Sequence, residues 1–403
     1  MAHRHPSSSG TRPTVEVVLR AARAAEPLGR GHPWVWQDSI AGGLKDAEVG
    51  DEVQVLAPDG SPVGRGLADP GSPIAVRLWT KGRKPIGEDV WKARSERACA
   101  MRRRLFDDHA TDAYRVVHGE GDRMPGFVVD RYGPVAVART DGDAAATRID
   151  DFARAVWPEL ETLGVASLVH RAGAKGETPR IEVLRGRPPP DTIEVREHGV
   201  PFVVDLARGQ KTGAFLDQRE NRARVGELAR GRRVLNLFSY AGGFSVHAAR
   251  GGATHVTSVD VAAAAHATAQ ATFRAAGVDA RAHAFVTADV RAFLDAARGR
   301  GDRWDLVISD PPSFAPNEKA RPRALTAYRA LHAACAKVLA PGGILCAASC
   351  SSHVDAEAFA STLDDEVLGE RDLSLLELRG AGADHPTLAA FPEGRYLKFA
   401  VLA

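Results

Sequence analysis

The stretch Leu306-Val307-Ile308-Ser309-Asp310-Pro311-Pro312-Ser313-Phe314 decides how this chain is read. A short apolar run ends in an acid and two prolines. Proline has no N–H for a strand ladder and fixes φ, so pairing stops at Pro311 and the Asp310 carboxylate is held in one geometry. This is a strand leaving a parallel sheet at its carboxyl edge, where open α/β sheets bind ligands. Phe314 can stack on a flat substrate. Acceptors at Asp310 and the neighbouring carbonyls, beside that ring, suit a planar heterocycle with N–H groups such as a nucleobase.

Working outward, residues 195–403 alternate short apolar strands with helices. Strands are predicted at 234–238, 256–260, 284–289, 305–310 and 344–349. Helices are predicted at 245–250, 262–276, 290–298, 323–339 and 355–368. Strict βα alternation implies a doubly wound parallel sheet. The ending departs from it: 373–378 and 396–402 read as two strands with no helix between them. Such a terminal antiparallel hairpin is what class I S-adenosylmethionine (SAM) methyltransferases show, and simple dinucleotide folds usually lack.

Upstream, residues 14–82 carry short alternating segments cut by Gly, Pro and Asp, with little helical periodicity. They read as a small β-barrel-like domain containing the aromatic patch His32-Pro33-Trp34-Val35-Trp36. Residues 86–187 mix a helix at 86–110 and another at 149–162 with five strands, an α+β middle domain. Arg187-Pro188-Pro189-Pro190-Asp191 is a stiff linker before the third domain.

Composition is that of a globular protein: 403 residues, 44% hydrophobic and 26% charged, with net charge +2. No stretch approaches the roughly 18–20 continuous apolar residues of a membrane span. Residues 1–13 are polar and basic, and read as a disordered tail and not a signal peptide. Cys99, Cys335, Cys346 and Cys350 make no CxxC pair, which argues against a zinc knuckle or a disulfide framework. A cytoplasmic, reducing compartment fits, and no metal site or membrane partner is expected. Basic residues cluster at Arg77–Lys84, at Lys92–Arg104 and at Arg208–Arg224. Three separated clusters suit a large polyanion better than a small metabolite.

The chemistry gathers at the strand ends of the third domain. Asn236 to Ser245 carries Gly242 and Gly243, which let a backbone approach a ligand closely before a helix N-terminus. It is not GxGxxG, and it suits an amino-acid carboxylate better than a pyrophosphate. Asp260 ends the second strand and can accept two ribose hydroxyls; Asp289 ends the third and can accept an adenine amino group. Cys350 should leave the sheet edge beside Asp310. A thiol there can attack C6 of a pyrimidine and turn C5 into a carbon nucleophile. Its ordinary pKa is about 8.5, so a positive field, expected from a helix starting near residues 353–355, would help form thiolate. Asp310 could then bond N3 and the amino group while the thiol adds. The polar segment Gly209 to Arg222 is suited to closing over a cofactor, with Arg219 and Arg222 near phosphates.

Together these residues resemble bacterial large-subunit ribosomal RNA methyltransferases of the RlmI type, over nearly the whole chain. His32-Pro33-Trp34-Val35 looks like the opening of their N-terminal PUA domain, and Gly119 to Tyr132 like their central domain. The segments Gly209 to Arg222, Asn236 to Ser245, Asp310 to Phe314 and Ser349 to Ser351 are similar to their methyltransferase motifs. The resemblance implies a Rossmann-like class I fold and SAM bound around Phe238, Ser239, Tyr240, Gly242, Gly243, Asp260 and Asp289. It implies Asp310 beside the target base and Cys350 as nucleophile. Pro311, Pro312, Phe314, Lys211, Arg219 and Arg222 are the expected RNA contacts, and a homodimer is allowed for. Ser313 stands where a related branch of 5-methylcytosine enzymes has a second cysteine, so the group that removes H5 is left open. The alternatives are nitrogen methylation of a base such as guanine on the same fold, an NAD-dependent oxidoreductase, and a non-catalytic RNA-binding factor.

Overall fold

A computed structural model describes residues 14–173, 180–369 and 371–403; the tail read at residues 1–13 lies outside them. The first sheet holds β1 (Val15–Leu19), β2 (Trp34–Trp36), β3 (Ile40–Gly42), β4 (Glu52–Leu56), β5 (Pro62–Ala68) and β6 (Ile74–Lys81), ordered β2-β6-β5-β4-β1-β3. Val17, Val53 and Val55 are its buried centre. A helix the sequence pattern did not predict, α1 (Ala22–Arg30), follows β1. Its core-facing side is just Ala24, Ala25 and Leu28, too short and too small a stripe to read from the sequence.

The second sheet is ordered β11-β10-β9-β8-β7, from β7 (Ala113–His118), β8 (Phe127–Tyr132), β9 (Val135–Thr140), β10 (Ser167–Ala172) and β11 (Arg180–Gly186). Helices α2 (Glu88–Leu105), α3 (Asp143–Thr147) and α4 (Ile149–Glu161) belong to the same part of the chain. In α2, Glu88 and Asp89 open the first turn and Arg102, Arg103 and Arg104 close the last, each sign against the opposite end of the helix dipole. Its Trp91, Ala98 and Cys99 share one core with Phe152 and Val156 of α4. After the proline linker comes an unpredicted hairpin, β12 (Thr192–Glu197) and β13 (Val200–Asp205). Its period-two signal is short: the buried positions are Val195 in β12 and Phe202 and Val204 in β13.

The third sheet carries β14 (Arg233–Leu237), β15 (His255–Asp260), β16 (Ala284–Thr287), β17 (Trp304–Ser309), β18 (Leu339–Ser349), β19 (Leu375–Arg379) and β20 (Lys398–Leu402). Its order is β16-β15-β14-β17-β18-β20-β19. The first five strands are parallel, while β20 pairs antiparallel with both β18 and β19. This is the expected Rossmann-like sheet with its terminal hairpin. Strand order reverses at β14, between β15 and β17, and there the strand ends open a crevice. The connecting helices are α5 (Arg219–Leu228), α6 (Gly243–Arg250), α7 (Ala263–Ala275), α8 (Val290–Arg300) and α9 (Arg321–Val338). The single helix expected at 355–368 is instead α10 (Ala356–Ala360), a 3-10 turn and α11 (Asp365–Leu368). Asp364 causes the break. Its carboxylate accepts the Val367 N–H at 3.1 Å and so caps a fresh helix start.

Candidate active site

The loop from β14 to α6 is held in an unusual backbone conformation. Phe238 and Tyr240 take φ of 57° and 46°, which side-chain-bearing residues rarely adopt. Such positions cost of order 1–3 kcal/mol each and persist where surrounding structure imposes them. Here Asp260 imposes one: its Oδ2 accepts the Tyr240 N–H at 2.8 Å and its Oδ1 the Ala262 N–H at 2.9 Å. A carboxylate has about four acceptor positions, so each oxygen keeps one for a ribose diol. The Ser239 hydroxyl in the same loop is buried without a partner. Asp289 caps α8, its Oδ1 accepting from Arg291 and Ala292 at 3.0 Å each, which leaves Oδ2 for another donor. These vacant acceptors and the buried hydroxyl fit an adenosyl group and an amino-acid tail.

Gly242 and Gly243 answer to packing. A Cβ on Gly242, whose φ is 76°, would stand 2.8 Å from Cβ of Ala269 in α7. One on Gly243 would stand 2.9 Å from Cδ of Arg222. The segment after β13 reaches across this loop, with Gln210 N–H donating to the Tyr240 hydroxyl at 2.8 Å.

On the other side of the switch point, β17 and β18 run parallel with Ser309 opposite Ala347, so Asp310 and Cys350 leave neighbouring strand ends. Cys350 Sγ lies 4.0 Å from the Pro311 carbonyl. It is the half-buried cysteine; the other three are buried. One hydroxyl fastens the two loops. Ser351 Oγ accepts the N–H groups of Phe314 and Ala315 at 3.2 and 3.3 Å and meets the hydroxyls of Ser313 and Tyr328 at 3.1 and 3.0 Å. Pro311 is buried and Pro312 exposed at the mouth. Phe314 packs against Tyr328, with ring centroids 4.8 Å apart, so part of the ring is spent on the core.

Two residues the sequence pattern did not mark complete the site. Asp217 Oδ2 accepts from Lys211 Nζ at 2.8 Å and from the Tyr396 hydroxyl at 2.6 Å. Burial alone would raise the Asp217 carboxyl, but Lys211, His385 and the Tyr396 hydroxyl together outweigh it and hold it well below the usual range. Asp310 goes the other way. Burial, reinforced by the Asp217 charge, pushes its carboxyl up to about 7. Burial and then Asp310 also raise the Cys350 thiol, while Lys211 opposes them. The helix start expected to favour thiolate does little, because α10 is five residues long and Asp355 already caps it.

Arg219 and Arg222 correct the sequence expectation. The Arg219 guanidinium is fully buried, paired with both oxygens of Asp384 at 2.9 and 2.7 Å and stacked 4.5 Å over Phe106. Arg222 grips both oxygens of Glu197 at 2.8 and 2.5 Å and donates to the Phe215 carbonyl at 2.9 Å. Neither has a face left for a phosphate. Arg77 and Arg102 drop out of the basic clusters similarly, bound to Glu120 and Asp141 and to Asp122. Lys81, Arg83, Lys84, Arg97, Arg103 and Arg104 stay exposed. The aromatic patch is also a joint: Trp34 Nε1 donates to Glu120 at 2.8 Å and its ring meets Phe391 edge-on at 4.6 Å.

The chain is similar to known proteins over nearly its whole length. Residues 166–367 match the S-adenosylmethionine-dependent methyltransferase family and residues 17–81 a PUA-like domain. A ribosomal RNA large subunit methyltransferase of Deinococcus radiodurans is 40% identical, covering 98% of both chains. The ribosomal RNA large subunit methyltransferase I of Shewanella denitrificans is 36% identical over 95% of this chain and 98% of its own. A methyltransferase crystallised with SAH shares the fold at a TM-score of 0.85, with 24% identity, over 96% of this chain and 100% of that one. No helix among the described residues is long and apolar enough to cross a membrane. The chain belongs to the S-adenosylmethionine-dependent methyltransferase family, in the group that includes the ribosomal RNA large subunit methyltransferases I.

Proposed function

We propose that the protein methylates C5 of a cytosine in large-subunit ribosomal RNA, with Cys350 as nucleophile. The observation that carries this is Cys350 beside Asp310 at adjacent strand ends, with the Asp310 carboxyl pushed up to about 7. A carboxyl poised there can hold a proton at neutral pH and donate it to N3 of the base. The Cys350 thiolate adds to C6, and the ring electrons gather at C5 as N3 takes up the Asp310 proton. When bound, SAM supplies an electrophilic methyl group to this site. Loss of H5, expulsion of the thiolate and return of the N3 proton to Asp310 then restore the ring. Phe238, Ser239, Tyr240, Gly242, Gly243, Asp260 and Asp289 would hold the cofactor. Lys211, Pro311, Pro312 and Phe314 would contact the base or its neighbours.

Membership of a SAM-dependent family takes the place of the NAD-dependent alternative. The chain at 14–82 and 86–187 would dock RNA through its exposed basic residues, and a base in a duplex must be flipped out to reach the thiol. A cytoplasmic setting, where thiols stay reduced, suits four free cysteines. A homodimer belongs to the same proposal, and light scattering of the purified chain tests it. Cys350→Ala should bind SAM normally and form no 5-methylcytosine in ribosomal RNA, by nucleoside mass spectrometry. Unchanged product would sink the proposal, and a methylated guanine in its place would favour nitrogen methylation.

A further inference from the structure

The Asp217 carboxylate is used on one side only. Its side chain is 4% exposed. Oδ2 takes two donors, Lys211 Nζ at 2.8 Å and the Tyr396 hydroxyl at 2.6 Å. Oδ1 is buried, and among the described residues no group donates to it. An unpaired oxygen on a buried, ionised carboxylate is costly to the fold, so it calls for a functional explanation.

Hydrogen bonds tie this carboxylate to both strand ends of the site. Lys398 of β20 lies opposite Ser349 of β18, and its Nζ donates to the Ser351 carbonyl at 2.6 Å and the Tyr396 carbonyl at 2.8 Å. The Tyr396 backbone is thereby held against the turn that carries Cys350, and its side chain spans from there to Asp217. Gln218, the next residue in the same 3-10 turn, hydrogen-bonds the Asp310 carboxyl through its side chain. The Asp217 charge is felt at Asp310 and at Cys350 alike.

We propose that Asp217 Oδ1 accepts an N–H of the 4-amino group of the target cytosine, which makes Asp217 a specificity-determining residue. This rests on the reading of a cytosine held at Asp310 and attacked by Cys350. The donor count supports it. Protonated Asp310 gives its O–H to N3 and can accept one amino N–H on its other oxygen. The second amino N–H needs an acceptor in a site closed to water, and Oδ1 is one. Asp217 moves no proton: Lys211 and Tyr396 keep it ionised, and it stays so. When N3 takes the Asp310 proton, positive charge spreads to the amino group, where a fixed anion stabilises it. Uracil would set a carbonyl oxygen against the carboxylate. A site built to bond a substrate N–H rejects the analogue lacking it, because its own buried group is then left unpaired.

The test crosses two proteins with two RNAs. The RNA is the ribosomal fragment in which wild type forms 5-methylcytosine. At that position it carries cytosine or 2-pyrimidinone, a base without the amino group. Both proteins carry Cys350→Ala, so no adduct forms, and the second also carries Asp217→Asn. With Asp217 in place, cytosine RNA should bind at least about ten-fold more tightly than 2-pyrimidinone RNA. Asp217→Asn should shrink that ratio by about five-fold or more, a neutral acceptor replacing a charged one. SAM affinity, measured by calorimetry, should hold. Equal ratios in the two proteins would overturn the proposal. A loss confined to SAM binding would also overturn it, assigning Oδ1 to the cofactor's ammonium. If Asp217→Asn does not fold, NMR of the Cys350→Ala complex with RNA labelled at the cytosine amino nitrogen replaces it. Both amino protons should then lie downfield of free RNA, and one unshifted proton would overturn the proposal. Absence of 5-methylcytosine from the wild-type product would refute the reaction and this inference with it, before any ratio is measured; equal ratios refute the inference alone.

Discussion

Arg219 and Asp384 at the seam between the second and third sheets, and Asp310 and Lys398 beside Cys350, are all ionisable groups taken out of water. At the seam each charge has its partner. Burial opposes ionisation of Asp384, but His385 and Arg219 outweigh it and hold the carboxyl well below its ordinary value. Burial likewise opposes the Arg219 charge, and the hydrogen bonds and charge of Asp384, together with Glu197 and Glu220, more than offset it. Glu197 follows the same rule, lowered to about 2 because Arg222 and His247 together overcome burial. Beside Cys350 the balance fails: Asp310 is raised, the thiol is raised, and Lys398 is lowered. Each is pushed toward its neutral form, ready to exchange a proton. The direction of the shift, more than burial, separates charge that holds the fold from charge that does chemistry.

The harshest way to break this contrast is at the seam. Asp384→Ala strands a fully buried Arg219 and takes an acceptor from the Arg115 N–H, 2.9 Å away. Removing one partner of such a pair costs about 3–5 kcal/mol, read by urea unfolding. A loss under about 1 kcal/mol would show that the seam charges are not relied upon.

Asp310→Asn probes the opposite cluster. Methyl transfer should fall by roughly 100–1,000-fold, since an amide cannot give N3 its proton. Stability should move the other way. An acid raised from its ordinary 3.8 to about 7 binds its proton more tightly folded than unfolded, so wild-type stability declines as pH climbs between those values. Above about pH 7 the ionised group is a net burden. After allowance for its partial exposure, the variant should gain roughly 1–3 kcal/mol at pH 8 and little at pH 4. Equal stability of the two proteins at pH 8 would remove Asp310 from the unbalanced cluster.

Gly242→Ala sharpens the cofactor side. A Cβ 2.8 Å from Ala269, at a left-handed φ of 76°, should cost about 1–3 kcal/mol and weaken SAM binding in calorimetry. Smallest is Ser351→Ala. It unties the two loops and leaves the Ala315 N–H, 3.3 Å away, without its acceptor, for about 1–2 kcal/mol in thermal melts.

Much of the third sheet was legible because its signals are local. Apolar runs ending in Asp260, Asp310 and Cys350 mark where strands leave the sheet, whatever lies elsewhere. Asp217, Ser351 and Tyr396 carried no such mark. Their roles come from hydrogen bonds across the site, as between Tyr396 and Asp217, 179 positions apart. Arg219 and Arg222 were misread for the same reason. In sequence they are cations beside a cofactor segment, whereas Asp384, 165 positions from Arg219, neutralises one and Glu197 the other. Lys398 sits among apolar strand residues, where one lysine reads as an edge or a strand end.

By itself, the order of residues determined the parallel sheet, its terminal hairpin and which side chains emerge at the carboxyl edge. Periodicity and strand-ending prolines act over a few residues, so neighbours along the chain suffice. Tertiary structure alone decided which charges cancel and which stay frustrated. That outcome depends on partners distant in the chain and on water excluded by the packing of several elements, and neither is written in any local stretch.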